Sequence, residues 1–394
     1  MSGRSRGHIE KRGKRSWRLK WEKPRDLETG KRQYGTKTIR GTKSAANREL
    51  TRILHSIGVG DYVDPTKITL GEHLIAWLDG TAKFNVSPRT FERYDEIVRQ
   101  RWMPALGKRR LSELTALDIK RVETQWLTEG RADKTGGLSA RTVRHFHWVL
   151  TNALDEAVRL RLLARNPARD VRPPKPQRKP IVWLAPKELA ALIAASSETR
   201  VHIPVLLAAT AGLRRGEVLA LKWGNVDLSA GTITVAHSLE NTQARGLQIK
   251  PPKSGKARTV ALPALAVDAL KEHATAQKKQ RLKLGQKYKN FDLVCPDTRG
   301  GYWHPRNMSR VFSALVGEAD IPKVTFHGLR HTHLTHLLQE GIHPKVASER
   351  AGHSSVAVTL DVYSHAIPDM QRDAADRIDD LIGGLTKKDD SSRA

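Results

Sequence analysis

Of its 394 residues one is a cysteine, Cys295, and acidic groups are in deficit: 41 Asp and Glu stand against 69 Lys and Arg. A single thiol excludes an internal disulfide and any cysteine-based zinc finger. No apolar run approaches the roughly 18–20 residues that span a bilayer, and no secretory pattern opens the chain. A reducing, cytoplasmic setting is therefore expected, with no membrane partner. The acidic deficit leaves a formal charge of +28. Solubility needs far less, and the usual partner of such a field is a polyanion, most often nucleic acid. The 39% hydrophobic content is enough for a folded chain.

Composition divides what is present. Residues 1–66 are dense in Arg and Lys. Within them "SWRLKWE" alternates around Trp17, Leu19 and Trp21 and predicts a strand, "TGKRQ" a turn, "YGTKTI" a returning strand, and Ser44–Ser56 a helix. A structureless basic tail is the alternative. Residues 67–165 predict four helices. The first has Thr69 as N-cap and Leu70, Leu74, Trp77 and Leu78 on one face; the second opens with Ser87 then Pro88; the third is "TALDIKRVETQWLTEG"; the fourth starts at Ser139. A generic bundle and a DNA-clamping one share this pattern.

Residues 166–180, "NPARDVRPPKPQRKP", hold five prolines and five basic residues and predict an extended, positively charged linker. Residues 181–366 mix helices with short strands. Helices are expected over Pro186–Ala195, Ile203–Leu221, Pro263–Lys283, Pro305–Ala319 and Gly328–Gly341, and strands at "TITVAHSLE", "GLQIKPPK" and "ARTVALP". The tail over 367–394 reverses sign; its stretch Pro368–Leu385 sets five aspartates among Met370, Ile378, Leu381 and Ile382 and predicts an amphipathic helix that packs on protein, its own or a neighbour's. The expected fold class is thus multidomain. A small basic α+β N-terminal domain precedes an all-α bundle, and a mixed, mainly α domain with a small antiparallel β-sheet follows the linker.

Four separated segments of the mixed domain carry groups that handle phosphate. "TAGLRRGEVLAL" sets Arg214 after Gly-Leu; "PPKSGKARTV" puts Lys253 and Lys256 in a turn; "HGLRHTHLTH" places His327 and Arg330 three apart; "GHSSVAVTLDVY" ends on His353 and Tyr363. Phosphodiester cleavage without metal needs this inventory. Two guanidiniums neutralise charge on the non-bridging oxygens, a lysine or histidine protonates the leaving oxygen, and a tyrosine among cations attacks. Singly each residue reads blandly. Arg214 would be a cap, Lys253 one turn lysine among several, Tyr363 a half-buried core tyrosine, and His365 structural. Arg350 would be a phosphate contact or surface charge. His327, His331, His333 and His336 lack the glutamate of a H-E-x-x-H zinc site, so no metal or other cofactor is expected.

In chain order these segments resemble the tyrosine recombinases of the phage-integrase type, whose signature runs Arg, Lys, His-x-x-Arg, His or Trp, then Tyr. "GLRRGE" supplies Arg214, with Glu217 at the family's supporting acidic position; "PKSGKARTVAL" resembles its β-hairpin lysine segment, with Lys253 the better match. "HGLRHT" supplies His327 and Arg330. "GHSSVAVTLDVYSH" supplies His353 and, ten residues on, Tyr363. Ala351 stands where an apolar residue, often Leu, precedes Gly-His, a smaller filler. The match spans about 181–366, and the fourth bundle helix resembles the end of the family's core-binding domain. The basic N-terminus is similar to an arm-site DNA-binding domain.

The resemblance implies a site-specific recombinase of a phage or other mobile element, acting for integration or excision in the cytoplasm of a bacterial host, associated with its nucleoid. Tyr363 would form a 3′-phosphotyrosyl link without ATP. Arg214 and Arg330 would stabilise the phosphorane-like charge, Lys253 would be the general acid, His327 would assist proton transfer and His353 would bond the phosphate. It further implies a homotetramer on two double-stranded DNA attachment sites, a unit to which a directionality factor or a host DNA-bending protein can be added. Arg89, Arg93, Arg141, Arg144 and His145, near predicted helix starts, and Lys256 are the expected further DNA contacts. A type IB topoisomerase or a chromosome-dimer resolvase shares the chemistry. A decayed integrase that only binds DNA is the rival of another class.

Overall fold

The computed structural model describes residues 7–24, 30–59, 62–64, 66–131, 133, 135–177, 180–252, 255–353, 355–363, 375–376, 378–380 and 382, the last three positions of 355–363 by backbone only. Two compact units divide at 178/179.

The first unit begins with an antiparallel sheet, β1 (Gly7–Gly13), β2 (Ser16–Glu22) and β3 (Tyr34–Arg40), with β2 central, followed by α1 (Lys43–Gly58). The alternation in β2 decides the packing. Leu19 and Trp21 are buried with Ala46, Leu50 and Ile53 of α1, and the Trp21 indole donates to the Tyr62 hydroxyl at 3.1 Å. The strand reading of both segments and the helix reading hold; of "TGKRQ", Thr29 lies outside the described residues.

The bundle follows: α2 (Leu70–Trp77), α3 (Lys83–Asn85), α4 (Pro88–Ile97), α5 (Met103–Leu106), α6 (Ala116–Glu129) and α7 (Ala140–Arg159). Single π turns at Leu78–Ala82 and Val98–Trp102 run α2 into α3 and α4 into α5, so four helical rods result, as expected. Each start is capped as the sequence indicates: Thr69 with Glu72, Ser87 ahead of Pro88, Thr115 with Asp118, and Ser139. Trp102 lies at the centre, 4.6 Å from the Trp126 ring, its indole donating to the Phe146 carbonyl at 3.0 Å. Glu123 of α6 and His147 of α7 pair within the core at 2.6 Å.

The linker starts later than expected. Asn166 caps a 3-10 turn over Pro167–Asp170 and donates to Thr151 and Asp155, while Ala168 and Val171 are buried in the bundle core. Pro167 at the first helical position is compatible with a turn as well as with extended chain, so 166–171 belong to the bundle.

The second unit is built around α9 (His202–Ala211), a helix buried nearly all round. About it lie α8 (Pro186–Ser196), α10 (Arg215–Ala220), α11 (Ala264–Leu284), α12 (Pro305–Glu318) and α13 (Phe326–Gln339), with α14 (Pro344–Ala351) and α15 (Val356–Tyr363) closing the chain. The single helix expected over Ile203–Leu221 is two. Gly212, at φ +65°, takes the left-handed cap of α9, and Arg214 is extended ahead of α10. "TITVAHSLE" likewise splits into β5 (Thr232–Val235) and β6 (Ser238–Thr242). There are two small sheets where one was expected among the described residues. β4 (Val226–Asp227), β5 and β8 (Arg258–Ala261) form one, and β6 with β7 (Gly246–Lys250) is a hairpin. In the acidic tail, residues 375–376, 378–380 and 382 are helical, and Ile378 and Ile382 are exposed.

Candidate active site

The break between α9 and α10 builds the site. Arg214 is the N-cap of α10, and Glu217, three residues on, accepts from its backbone N–H (2.9 Å) and from Nη1 (2.8 Å). Nη2 donates to the Gly352 carbonyl at 3.1 Å. Glu217 is 1% exposed, held between Arg214 and Arg258, whose Nη1 and Nη2 reach its two oxygens at 3.2 and 2.8 Å.

Arg330 comes from the first turns of α13, a helix that Thr325 caps two residues earlier than the sequence indicated. It is 2% exposed and its Nη1 donates to the Gly212 carbonyl at 2.7 Å. The left-handed cap thus turns a backbone acceptor toward it. A Cβ on Gly212 would lie 2.8 Å from the His333 ring.

His327 and His353 share the field of these arginines. Burial, then the charges of Arg330, Arg214 and Arg215, hold the His327 ring below its ordinary pKa, with Glu217 pulling the other way. His353 is pushed down to about 4 by burial and by Arg330, Arg214, His331 and Arg258. Its Nδ1 meets the Thr359 hydroxyl at 2.7 Å. Both rings are therefore neutral at pH 7. Burial, His327 and Arg330 also hold His331 at about 4. Among the described residues no three His, Cys, Asp or Glu side chains gather as a metal-ligating group.

Arg214, Glu217, His327, Arg330 and His353 are thus brought together. Tyr363 ends α15; its side chain and all of Lys253 lie outside the described residues, as does His365. Lys256 is exposed in the turn between β7 and β8. Arg350 is half-buried and not a free surface charge. Its Nη2 donates to the carbonyls of Thr210 and Ala261, both at 3.1 Å, tying α14 to α9 and β8. His333 is buried and His336 bonds the Leu184 carbonyl, so both are packed.

In the bundle, Arg141, Arg144 and His145 are exposed along one face of α7, and Arg89 is exposed on α4. Arg93 is half-engaged, bonded to Glu96 at 2.7 Å with its guanidinium 5.7 Å from the Phe146 ring. Trp148 continues the α7 stripe, 57% exposed, with the Arg144 guanidinium 5.7 Å over its ring. The sequence reading missed Trp148, Arg258 and Thr359. The i, i+3, i+4, i+7 spacing from Arg141 to Trp148 was the signal for the first.

The pattern of the phage integrase family matches residues 182–369, and that of the phage integrase N-terminal SAM-like domain matches 69–127. The chain belongs to the phage integrase family. Among curated relatives, a tyrosine recombinase XerC-like protein of Caldanaerobacter subterraneus subsp. tengcongensis is 27% identical over 361 residues, 86% of this chain and 90% of that one. An integrase of Streptomyces ambofaciens is 29% identical over 340 residues, 83% and 84% of the two chains. The fold is shared with the Tn1549 transposon integrase solved in complex with transposon right end DNA. The TM-score is 0.66 at 21% identity, covering 79% of this chain and 99% of that one. A lambda integrase tetramer bound to a Holliday junction aligns with TM-score 0.53 at 20% identity, over 88% and 95%. This integrase is therefore an enzyme of site-specific DNA cleavage and rejoining.

Proposed function

We propose that the protein recombines a mobile element with its host DNA through Tyr363. The carrying observation is the cationic site in which Arg214 and Arg330, from different helices, are anchored at the Gly352 and Gly212 carbonyls, with His327 and His353 in their field. Guanidiniums fixed before DNA arrives stabilise charge as it develops on the phosphate oxygens. A phosphodiester anion entering this field offsets the arginine charges and raises the pKa of both rings, favouring proton donation where it is needed. In the reaction the Tyr363 hydroxyl gives its proton to the neutral His327 ring as its oxygen bonds phosphorus, the 5′ oxygen leaves and takes a proton from Lys253, and a 3′-phosphotyrosyl link remains. The 5′ hydroxyl of the partner strand then reverses the step, so the bond energy is kept.

Two further surfaces fit the same role. Register places Arg18 opposite Glu10 and Thr38, Lys20 opposite His8 and Thr36, and Ser16 opposite Arg40. The sheet face away from α1 is thereby polar and carries Arg18, Lys20 and Arg40, with Lys20 over the Tyr34 ring at 5.0 Å, and suits an arm-type DNA site. The Arg141–Trp148 stripe suits the core site. Assembly as a tetramer on two sites, with the acidic tail helix docking on a neighbouring protomer, completes the proposal.

The test uses duplexes selected from a random pool for binding to the wild-type protein, then nicked at successive positions. A covalent protein–DNA band on a denaturing gel is expected for the wild type and not for Tyr363→Phe, with binding kept. A band that survives in Tyr363→Phe, or none on any tightly bound duplex, overturns the proposal.

A further inference from the structure

Arg258, the first residue of β8, is consumed by the protein in a way Arg214 is not. Its Nε donates to the Arg350 carbonyl at 2.8 Å, and its Nη1 and Nη2 both engage Glu217. The Arg258 side chain is 10% exposed and that of Arg214 25%. Three charged groups thus sit in one line of contact: an inner guanidinium, a buried carboxylate and an outer guanidinium.

Their charges decide what a phosphate meets. Arg214 against Glu217 alone would be a neutral pair, and a neutral pair does little for charge developing on a phosphoryl oxygen. With Arg258 added the triad carries one net positive charge, and the more exposed cation is Arg214. Burial, the largest single influence, would raise the Glu217 pKa; the hydrogen bond and charge of Arg258 together with those of Arg214 outweigh it, so the carboxylate is held below its ordinary range.

The second contact is mechanical. Arg258 takes the Arg350 carbonyl and Arg214 the Gly352 carbonyl, so two arginines grip the end of α14 directly before His353. Gly352 is at φ +62°, and a Cβ there would come within 2.9 Å of Arg258 Nη1. The glycine both turns the chain and leaves room for the guanidinium.

We propose that Arg258 is a positioning residue of the cleavage reaction: it neutralises Glu217, which leaves the charge of Arg214 to the scissile phosphate, and it fixes the helix end that carries His353. The proposal rests on the recombinase reading.

The test is a suppressor experiment on the nicked duplexes described above, with the full-length protein. Arg258→Gln should lower the rate of covalent-complex formation roughly 100-fold, as loss of one electrostatic group does in other active sites, while duplex binding changes little. Adding Glu217→Gln removes the charge that Arg258 offsets and keeps an oxygen for the Arg214 N–H; it should recover cleavage about tenfold over Arg258→Gln alone. A purely structural Arg258 predicts instead that the two losses add, and that result overturns the proposal, as does cleavage at the wild-type rate in Arg258→Gln. If Arg258→Gln does not fold, Arg258→Lys decides, because it keeps the cation and gives up the fork. Cleavage within about tenfold of wild type is expected, and a loss as deep as that of Arg214→Ala refutes the charge argument. A wild-type protein that forms no covalent complex defeats the recombinase reading itself, which is a separate outcome from any of these.

Discussion

Lowering the pH from 7 to 5 puts a proton within reach of His333 in the unfolded chain but not in the folded one. The ring is 6% exposed on α13, packed on Gly212 and hydrogen-bonded to the Ala209 carbonyl. Burial first, then the charge of Arg350, bring its pKa down to about 3, with the Ala209 bond opposing and Arg330 adding a smaller push. The folded value is depressed, so below the ordinary 6.5 the unfolded state binds more protons and stability falls as pH falls. The contribution is whole above about pH 6.5 and is lost progressively down to about pH 3. Between pH 7 and pH 5 the linkage integral for these two values is about 2 kcal/mol. For a domain of this size that is a fall in Tm of about 4–8 °C.

His333→Phe keeps a ring against Gly212 and removes the titration. Melting of the full-length protein followed by tryptophan fluorescence at pH 7 and pH 5 measures both slopes. The variant should start lower at pH 7, having lost the bond to Ala209, and should lose about 2 kcal/mol less than wild type on acidification. Equal acid losses in the two proteins would refute the burial argument, and with it the view that α9 and α13 meet through an uncharged histidine.

Gly212→Ala should cost about 1–2 kcal/mol from the left-handed backbone alone, before the His333 ring moves to admit the methyl group. Because the displaced carbonyl serves Arg330, covalent-complex formation should fall more steeply than binding; a variant that melts and cleaves like wild type contradicts this. Thr359→Val removes the hydroxyl on His353 Nδ1 and should slow cleavage about tenfold, the worth of one hydrogen bond of ~1–1.5 kcal/mol, with Tm shifting little; unchanged rates would show that Thr359 does not orient the ring. Arg144→Ala should lower the slope of log binding constant against log salt by about 1, and a slope that stays put removes the α7 stripe from the DNA interface.

Why the chemistry was legible while its supports were not can be argued from two arginines. Arg214 stands two residues after a glycine and three before a glutamate, which are the marks of one helix ending and another beginning. Hydrophobic periodicity hid the break, since α9 is apolar on every side and offers no polar face whose phase could slip. The local marks still tell which residue leaves the helix axis and can face a ligand. The same holds for Thr325 ahead of His327 and Arg330. Arg350 carries no such mark. Its side chain ends on the carbonyls of Thr210 and Ala261, 140 and 89 residues away in the chain, and Arg258 ends on Glu217 and Arg350 at separations of 41 and 92. A basic side chain in an amphipathic segment looks the same whether it meets water, phosphate or a distant carbonyl. The partner is fixed by which element ends tertiary packing brings close. The start of the linker is hidden for the opposite reason: Asn166–Pro167 is a cap followed by a proline, a helix-start mark, but it opens a stretch whose five prolines read as extended chain. Residues that bear chemistry at helix ends announce themselves locally. Those that tune the bearers act through contacts of long separation, so in this integrase the partners of the charge-balancing arginine are set by the packing of β8 against the end of α14.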